Sequence, residues 1–272
     1  MPKFSLLMSI YKTENPIFLN YSFKSIWNDQ SLKPNQIVIV LDGPIPKKLN
    51  DVVEKWEYEI GACMKVLSLK ENKGLGEALA YGIRFCDYEY VARMDSDDIS
   101  MPNRFYEQIN FLEANKDIDI VGSYAIEFDE EINIPRGIRH VPTNHKDIIE
   151  GSRYRNPFNH PSIIYRKSKV IAAGGPRNFT GFDDYYLWIR MFNVNTKCAN
   201  LGKPLIYMRA NVNQAKRRGG YQYLKNEIKF FLFLKSIKHI SHMQFFINIL
   251  MRLPIRLIPY KFRYFIYRFL RK

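Results

Sequence analysis

Apolar residues fall in short blocks through the first half of the chain, and the blocks alternate between strand length and helical spacing. Phe4–Ile10 is a mostly apolar run of strand length. Pro16 then opens a stretch in which Phe18, Leu19, Phe23 and Ile26 recur near the helical period. The uninterrupted run QIVIVL at Gln36–Leu41 is the pattern of a strand buried on both faces, closed by Asp42-Gly43-Pro44. The same reading predicts helices over Asn50–Tyr58 and Lys73–Cys86, and strands over Cys63–Leu69 and Tyr90–Met94. A helix follows over Pro102–Asn115, with Ser100 as N-cap and Pro102 in its first turn, and then a strand over Asp119–Phe128. Strand and helix in strict alternation predict an α/β fold. Its sheet would be parallel and covered on both faces, with a ligand site beyond the carboxyl ends of the strands.

The second half is less regular. His160–Tyr165 has strand character, Asp183–Asn193 helical character, and Leu205–Ala210 that of a closing strand. After Gly219-Gly220 the composition shifts to Phe, Ile, Leu, Lys and Arg. The expected division is therefore a catalytic domain over 1–215 and a basic helical region over 216–272. Within that region Leu224–Leu234 and Phe245–Met251 are strongly apolar. In Pro254–Lys272, residues Ile255, Ile258, Phe262, Phe265 and Phe269 share one helical face, with Arg256, Arg263, Arg268 and Arg271 away from its centre. An amphipathic helix of this kind lies in an anionic membrane interface. Alternatively, its apolar face docks on the domain and only the cations meet lipid. A nucleic-acid surface would interleave aromatics with cations as stacking platforms, so no nucleic-acid partner is expected.

Charge sharpens this division. The 272 residues carry a formal +14 and are 46% hydrophobic, enough for a sizeable core. From Lys216 onward there are 14 Lys/Arg against one acid, Glu227, while the preceding residues hold 27 basic and 26 acidic side chains. A near-neutral domain thus bears a basic region suited to phosphates or acidic lipid. Cys63, Cys86 and Cys198 are odd in number and widely spaced, as expected of buried thiols in a reducing compartment. The N-terminus lacks a signal-peptide pattern, and no apolar stretch reaches spanning length.

Three places carry candidate chemistry. Asp95-Ser96-Asp97-Asp98 directly follows a predicted strand, and its clustered carboxylates repel each other unless a cation sits among them. Oxygen ligands at a strand end suit Mg²⁺ or Mn²⁺; a solvated acidic turn is the plainer alternative. Lys73 precedes Gly74-Leu75-Gly76 at a helix start, where helix amides and the ammonium together attract phosphate. Asp183-Asp184 opens a helix with Leu187, Trp188 and Met191 on one face. Acids in a first turn are also favourable with no function.

Five ordered segments make the pattern specific: FSLLMSIYKTENP, IVIVLDGP, ENKGLGEALAYGI, YVARMDSDDISMPNR and GFDDYYLWIRM. Over about residues 3 to 210 the chain resembles glycosyltransferase family 2, the inverting enzymes of the GT-A fold, a Rossmann-like, mainly parallel sheet flanked by helices. The resemblance implies a UDP-sugar pocket lined by Ser9, Tyr11 and Glu14, with Asp42 accepting from the uracil imide and Lys73 near the phosphates. It implies Asp95 on the ribose, Asp97 on Mn²⁺ or Mg²⁺, and Asp184 as general base. Asp98 would support the turn or cap the following helix, and Arg93 and Arg104 flank the site to pair with its carboxylates or to hold them near the donor; His160 would face the acceptor or donor, with a satisfied structural histidine as the equal alternative. Asp183 stands where the family usually has Glu, which leaves its role open. The Gln-x-x-Arg-Trp motif of processive members is absent, so one sugar is expected per acceptor.

As a whole the chain is similar to O-antigen enzymes that add a second sugar, galactose or glucose, β1-3 to GlcNAc-diphospho-undecaprenol. That implies a hexosyltransferase using UDP-galactose, or alternatively UDP-glucose. It also implies a peripheral enzyme at the cytoplasmic face of the bacterial inner membrane with a lipid-diphosphate-linked acceptor. A nucleotidyltransferase would need a Gly-rich basic loop after the first strand, which YKTENP is not. A non-catalytic membrane or nucleic-acid binding module would be indifferent to the loss of Asp97 and Asp184.

Overall fold

The computed structural model describes residues 1–129, 131–210, 216, 218–259 and 262. Its first elements follow the apolar pattern: β1 (Phe4–Ile10), α1 (Pro16–Trp27), β2 (Gln36–Leu41), α2 (Lys47–Ile60), β3 (Met64–Ser68), α3 (Leu75–Ile83) and β4 (Tyr90–Arg93). These four strands pair in parallel in the order β3-β2-β1-β4. β2 is buried at every position because both faces of the sheet are covered. Ile37 and Ile39 join Phe4, Leu6, Phe23 and Trp56 under α1 and α2, whereas Val38 and Val40 join Leu7, Leu79 and Ile83 under α3. α3 lies close on the sheet because Gly82 has no Cβ; one added there would fall 2.5 Å from Leu7 Cδ1.

The rest of the sheet is built differently. It uses β5 (Ile99–Ser100), α4 (Arg104–Ala114), β6 (Ile120–Phe128), β7 (Pro135–Arg139), α5 (His145–Gly151), β8 (Ile164–Arg166), α6 (Lys167–Ala172), α7 (Asp183–Phe192) and β9 (Cys198–Arg209). β8 is wedged antiparallel between β4 and β6, and β6 then pairs parallel with β9. Only β5, β7 and β8 run against the common direction, so the sheet stays mainly parallel.

Three local expectations change. Ser100 is not a helix cap: it lies in β5, its amide donates to Ser25 Oγ, and α4 starts only at Arg104, with Pro102 in the turn before it. The run His160–Tyr165 divides into a 3₁₀ turn, His160–Ser162, and the short β8. The closing strand is twice the expected length. Gly202, Lys203 and Pro204 hide its continuity in sequence and coincide with a register shift against β6.

Two further helices follow, α8 (Tyr221–Ser236) and α9 (His242–Leu257). α8 packs Phe230, Phe231 and Leu234 against Phe182, Tyr185 and Ile189, with the Phe182 and Phe230 rings stacked at 5.0 Å. Each such buried side chain contributes roughly 1.5–3 kcal/mol. α9 starts in a capping box made by Ser241 and Gln244. It is tied to α8 by buried Glu227, which accepts from Arg252 Nε at 3.1 Å and Arg256 Nε at 2.7 Å. Its outward face exposes Met243, Phe246, Leu250 and Leu257. The expected boundary near 215 and most of the expected interfacial helix over Pro254–Lys272 fall on 211–215, 217, 260, 261 and 263–272, outside the described residues. Among the described residues no helix is long and apolar enough to cross a membrane.

Candidate active site

Parallel strands carry the first group of candidates to one edge of the sheet. Ser9 sits near the end of β1, in register with Val40 of β2, and Tyr11 and Glu14 follow in the next turn. Asp42 follows β2 and is buried. Its Oδ1 accepts from the amide of Lys73 at 2.7 Å, and its Oδ2 from the amide of Gly74 at 3.0 Å and from Asn72 Nδ2 at 2.8 Å. Asp42 thereby pins the loop that leads into α3. Asn178 closes the same loop from the other side, accepting from the amide of Glu77 and donating to the carbonyl of Lys73. Gly76 permits that closure, since a Cβ there would lie 2.5 Å from the carbonyl oxygen of Arg177. The ammonium of Lys73 is exposed and pairs with Glu71.

The acidic turn follows β4 and is held from three sides. Arg93, fully buried, donates to Asp95 Oδ1 at 2.7 Å and to the carbonyls of Leu7 and Met94. Arg104, also fully buried, donates from Nη2 to the carbonyl of Arg93 at 2.7 Å. Arg209, near the end of β9, donates its amide to Asp98 Oδ1 at 2.7 Å and its Nε to the carbonyl of Asp97 at 3.1 Å. Its guanidinium stacks 3.5 Å from the Phe18 ring centroid. Burial opposes ionisation of Asp95, yet Arg93, then His160 and Arg104, outweigh it and hold that carboxyl well below the usual carboxylate range. Asp98 goes the other way: burial, and then the charges of Asp97 and Asp95, push it well above that range.

His160 joins this turn to the second acidic pair. Its Nδ1 lies 3.5 Å from Asp95 Oδ2, and its ring is 6.3 Å from that of Trp188 in α7. Asp183 accepts from the amide of Phe179 at 2.7 Å, closing the turn before α7; burial raises its carboxyl above the ordinary value. Asp184 is half-buried. Its Oδ1 accepts from the amide of Tyr185 at 2.7 Å and its Oδ2 from Asn156 Nδ2 at 2.6 Å. The predicted residues thus form one group on the strand ends and a second at the start of α7, with His160 in contact with Asp95 of the first and near Trp188 of the helix that carries the second.

Among the described residues no three acidic or histidine side chains are gathered to enclose an ion by themselves. The turn still fits a divalent cation that takes phosphate oxygens and water as its other ligands. Asp97 is half-exposed, and the repulsion from Asp97 and Asp95 that adds to burial in raising Asp98 is what such a cation would relieve.

The model of Glycosyl transferase family 2 matches residues 5–175. The chain belongs to glycosyltransferase family 2. This family 2 chain is 36% identical over 267 residues to the UDP-Gal:alpha-D-GlcNAc-diphosphoundecaprenol beta-1,3-galactosyltransferase of Escherichia coli, covering 98% of this chain and 96% of the relative. It is 34% identical over 264 residues to the amylovoran biosynthesis glycosyltransferase AmsE of Erwinia amylovora, covering 97% of each. Among solved structures, the mannosyltransferase PcManGT of Pyrobaculum calidifontis, in complex with GDP-Man and Mn²⁺, superposes with a TM-score of 0.64 at 13% identity. That match covers 97% of this chain and 72% of the other, and it places the sheet in the GT-A fold. The chain is a glycosyltransferase, which sets aside the nucleotidyltransferase and non-catalytic readings.

Asn72, Asn156, Asn178 and Arg209 escaped the sequence reading. Their partners lie about 30 to 110 residues away, and no local spacing marks them.

Proposed function

We propose that the chain is an inverting hexosyltransferase moving a hexose, galactose before glucose, from a UDP-sugar in β1-3 linkage onto GlcNAc carried on a polyprenol diphosphate. The product belongs to surface-polysaccharide assembly. One observation carries the reading: a relative that matches 98% of the chain at 36% identity bears that activity in its name.

In this reading Ser9, Tyr11, Glu14 and Asp42 frame the uridine, Asp95 meets the ribose and Lys73 approaches the diphosphate. Asp42 already accepts three hydrogen bonds, and a carboxylate has room for about one more, from the imide. The acceptor hydroxyl oxygen bonds to the anomeric carbon as the bond from that carbon to the diphosphate oxygen breaks. The bonding pair leaves on UDP from the opposite face, and the hydroxyl proton goes to Asp184. A carboxylate is a weak base towards an alcohol, so proton transfer is concerted with attack. Asp97 is the residue that would hold Mn²⁺ or Mg²⁺, and the ion when bound neutralises charge on the departing diphosphate. Arg93, Asp98, Arg104 and Arg209 keep the turn in shape. His160 braces Asp95 beside the acceptor, and Asp183 sets the start of α7.

The test is transfer to a synthetic GlcNAc-diphospho-lipid with Mn²⁺ and a panel of UDP-sugars. UDP-galactose should give the highest kcat/KM and a β1-3 disaccharide. Transfer from UDP-glucose alone would reassign the donor, and no transfer from any UDP-sugar would overturn the reading.

The same reading puts the exposed face of α9 and the basic region in the interface of an anionic membrane, at the cytoplasmic leaflet that displays the acceptor. The apolar row Met243, Phe246, Leu250 and Leu257 supports it, together with the exposed cations Lys225, Lys229 and Lys238. Phe246→Glu with Leu250→Glu should lower sedimentation with anionic vesicles at least tenfold, because each inserted side chain contributes about 2 kcal/mol. Turnover on a short-chain soluble acceptor should be unchanged. Unaltered sedimentation would detach α9 from the membrane.

A further inference from the structure

The segment 152–156 has an unusual set of supports. Tyr185 donates its hydroxyl to the carbonyl of Ser152, and Ser152 Oγ lies 2.8 Å from His239 Nε2 in the turn between α8 and α9. Burial, and then Arg153, pull His239 down to about 4, so at neutral pH it is an uncharged hydrogen-bonding partner. From α9, fully buried Asn248 donates to the carbonyl of Arg153 at 3.0 Å, Arg252 donates to the carbonyl of Tyr154, and Gln244 reaches the hydroxyl of Tyr154 at 3.3 Å. Arg252 is itself oriented by Glu227 of α8. The helix pair and the turn between them therefore hold three consecutive residues of one loop, Ser152 by its side chain and Arg153 and Tyr154 by their carbonyls. Two residues on, that loop presents Asn156, whose Nδ2 donates to Asp184 Oδ2 at 2.6 Å while its Oδ1 accepts from the amide of Phe158 at 3.2 Å.

We propose that Asn156 is a positioning residue for Asp184, and that α8 and α9, by gripping residues 152–154, hold it in place; this rests on Asp184 being the base. The logic is geometric. A carboxylate at the start of a helix can turn about its side-chain bonds, and one amide donor aimed at Oδ2, with Tyr185 N on Oδ1, leaves a single orientation in which a lone pair points at the acceptor hydroxyl. Fixing a reacting group in this way acts on turnover and not on donor binding. The C-terminal helix pair, on this inference, is part of the catalytic apparatus and not only a surface attachment.

Asn156→Asp tests it, because the substitution keeps the shape and the acceptor for Phe158 N, removes the donor and sets a like charge against Asp184. It should lower kcat roughly 10–100-fold with KM for the UDP-sugar within about twofold. Asn248→Ala should lower kcat less, and the double variant should be no slower than Asn156→Asp alone, since both act through one contact. Asn156→Asp within threefold of the parent would overturn the proposal, as would losses that multiply in the double variant, the mark of two independent defects. If Asn248→Ala melts below the assay temperature, His239→Ala takes its place in the cycle. Asp184→Asn, measured alongside, separates the two failures. An active Asp184→Asn removes the base itself, whereas an inactive Asp184→Asn beside a fully active Asn156→Asp removes only the positioning role.

Discussion

Asp184→Asn should lower kcat roughly a thousandfold, inside the 10²–10⁴ span typical of a general base, and leave UDP-sugar binding intact. Asparagine preserves volume and the acceptor for Tyr185 N, so the first turn of α7 keeps its hydrogen bond. On the proposed mechanism, what is lost is the atom that takes the proton. The new amide also faces the Asn156 amide, donor against donor, unless one of them turns over. Because Asp184 is half-buried and makes no ion pair among those described, the melting temperature should move little. The measurement is kcat on the lipid-diphosphate acceptor beside calorimetric binding of the UDP-sugar. Turnover within tenfold of the parent would exclude Asp184 as base.

Asp97→Asn is expected to cost about as much by a different route. A divalent cation at a departing diphosphate contributes several kcal/mol to the transition state, so losing its protein ligand should lower kcat roughly 10²–10³-fold and abolish stimulation by added Mn²⁺. Stability should move the opposite way. Asp98 is pushed up first by its burial and then by the charge of Asp97, so neutralising Asp97 lessens repulsion inside the turn. The metal-free variant should therefore melt at or slightly above the parent, while the rise in melting temperature that Mn²⁺ gives the parent disappears. Transfer that survives EDTA in the parent would remove the metal from the scheme, whatever the variant does.

The two acidic clusters were legible in sequence because their order is local. Asp95 to Asp98 occupy a turn right after an apolar strand, and Asp183-Asp184 opens a helix whose Leu187, Trp188 and Met191 mark its buried face. The parallel half was legible for the same reason, since QIVIVL can only be a strand with both faces covered. What lay out of reach was anything decided by pairing at a distance. His160–Tyr165 has strand character but nothing that states direction, and the fold divides it into a 3₁₀ turn and a short strand that inserts antiparallel between β4 and β6. Arg209 ends a strand that looks ordinary, yet it braces an aspartate 111 positions earlier. Asn156 in Arg155-Asn156-Pro157 reads as a turn residue until the fold sets it against Asp184.

The triad of Glu227, Arg252 and Arg256 bears on how ionic strength acts on the molecule. Mobile ions screen charges that face water and scarcely reach a pair enclosed by protein. If the proposed membrane contact holds, the exposed lysines of α8 would lose their pull on acidic headgroups as salt rises, while the arginines of α9 keep their hold on the carboxylate beneath them. On that proposal a concentrated buffer would lift the enzyme off a lipid surface with its two helices still locked together, because cations a few turns apart answer to different dielectric surroundings.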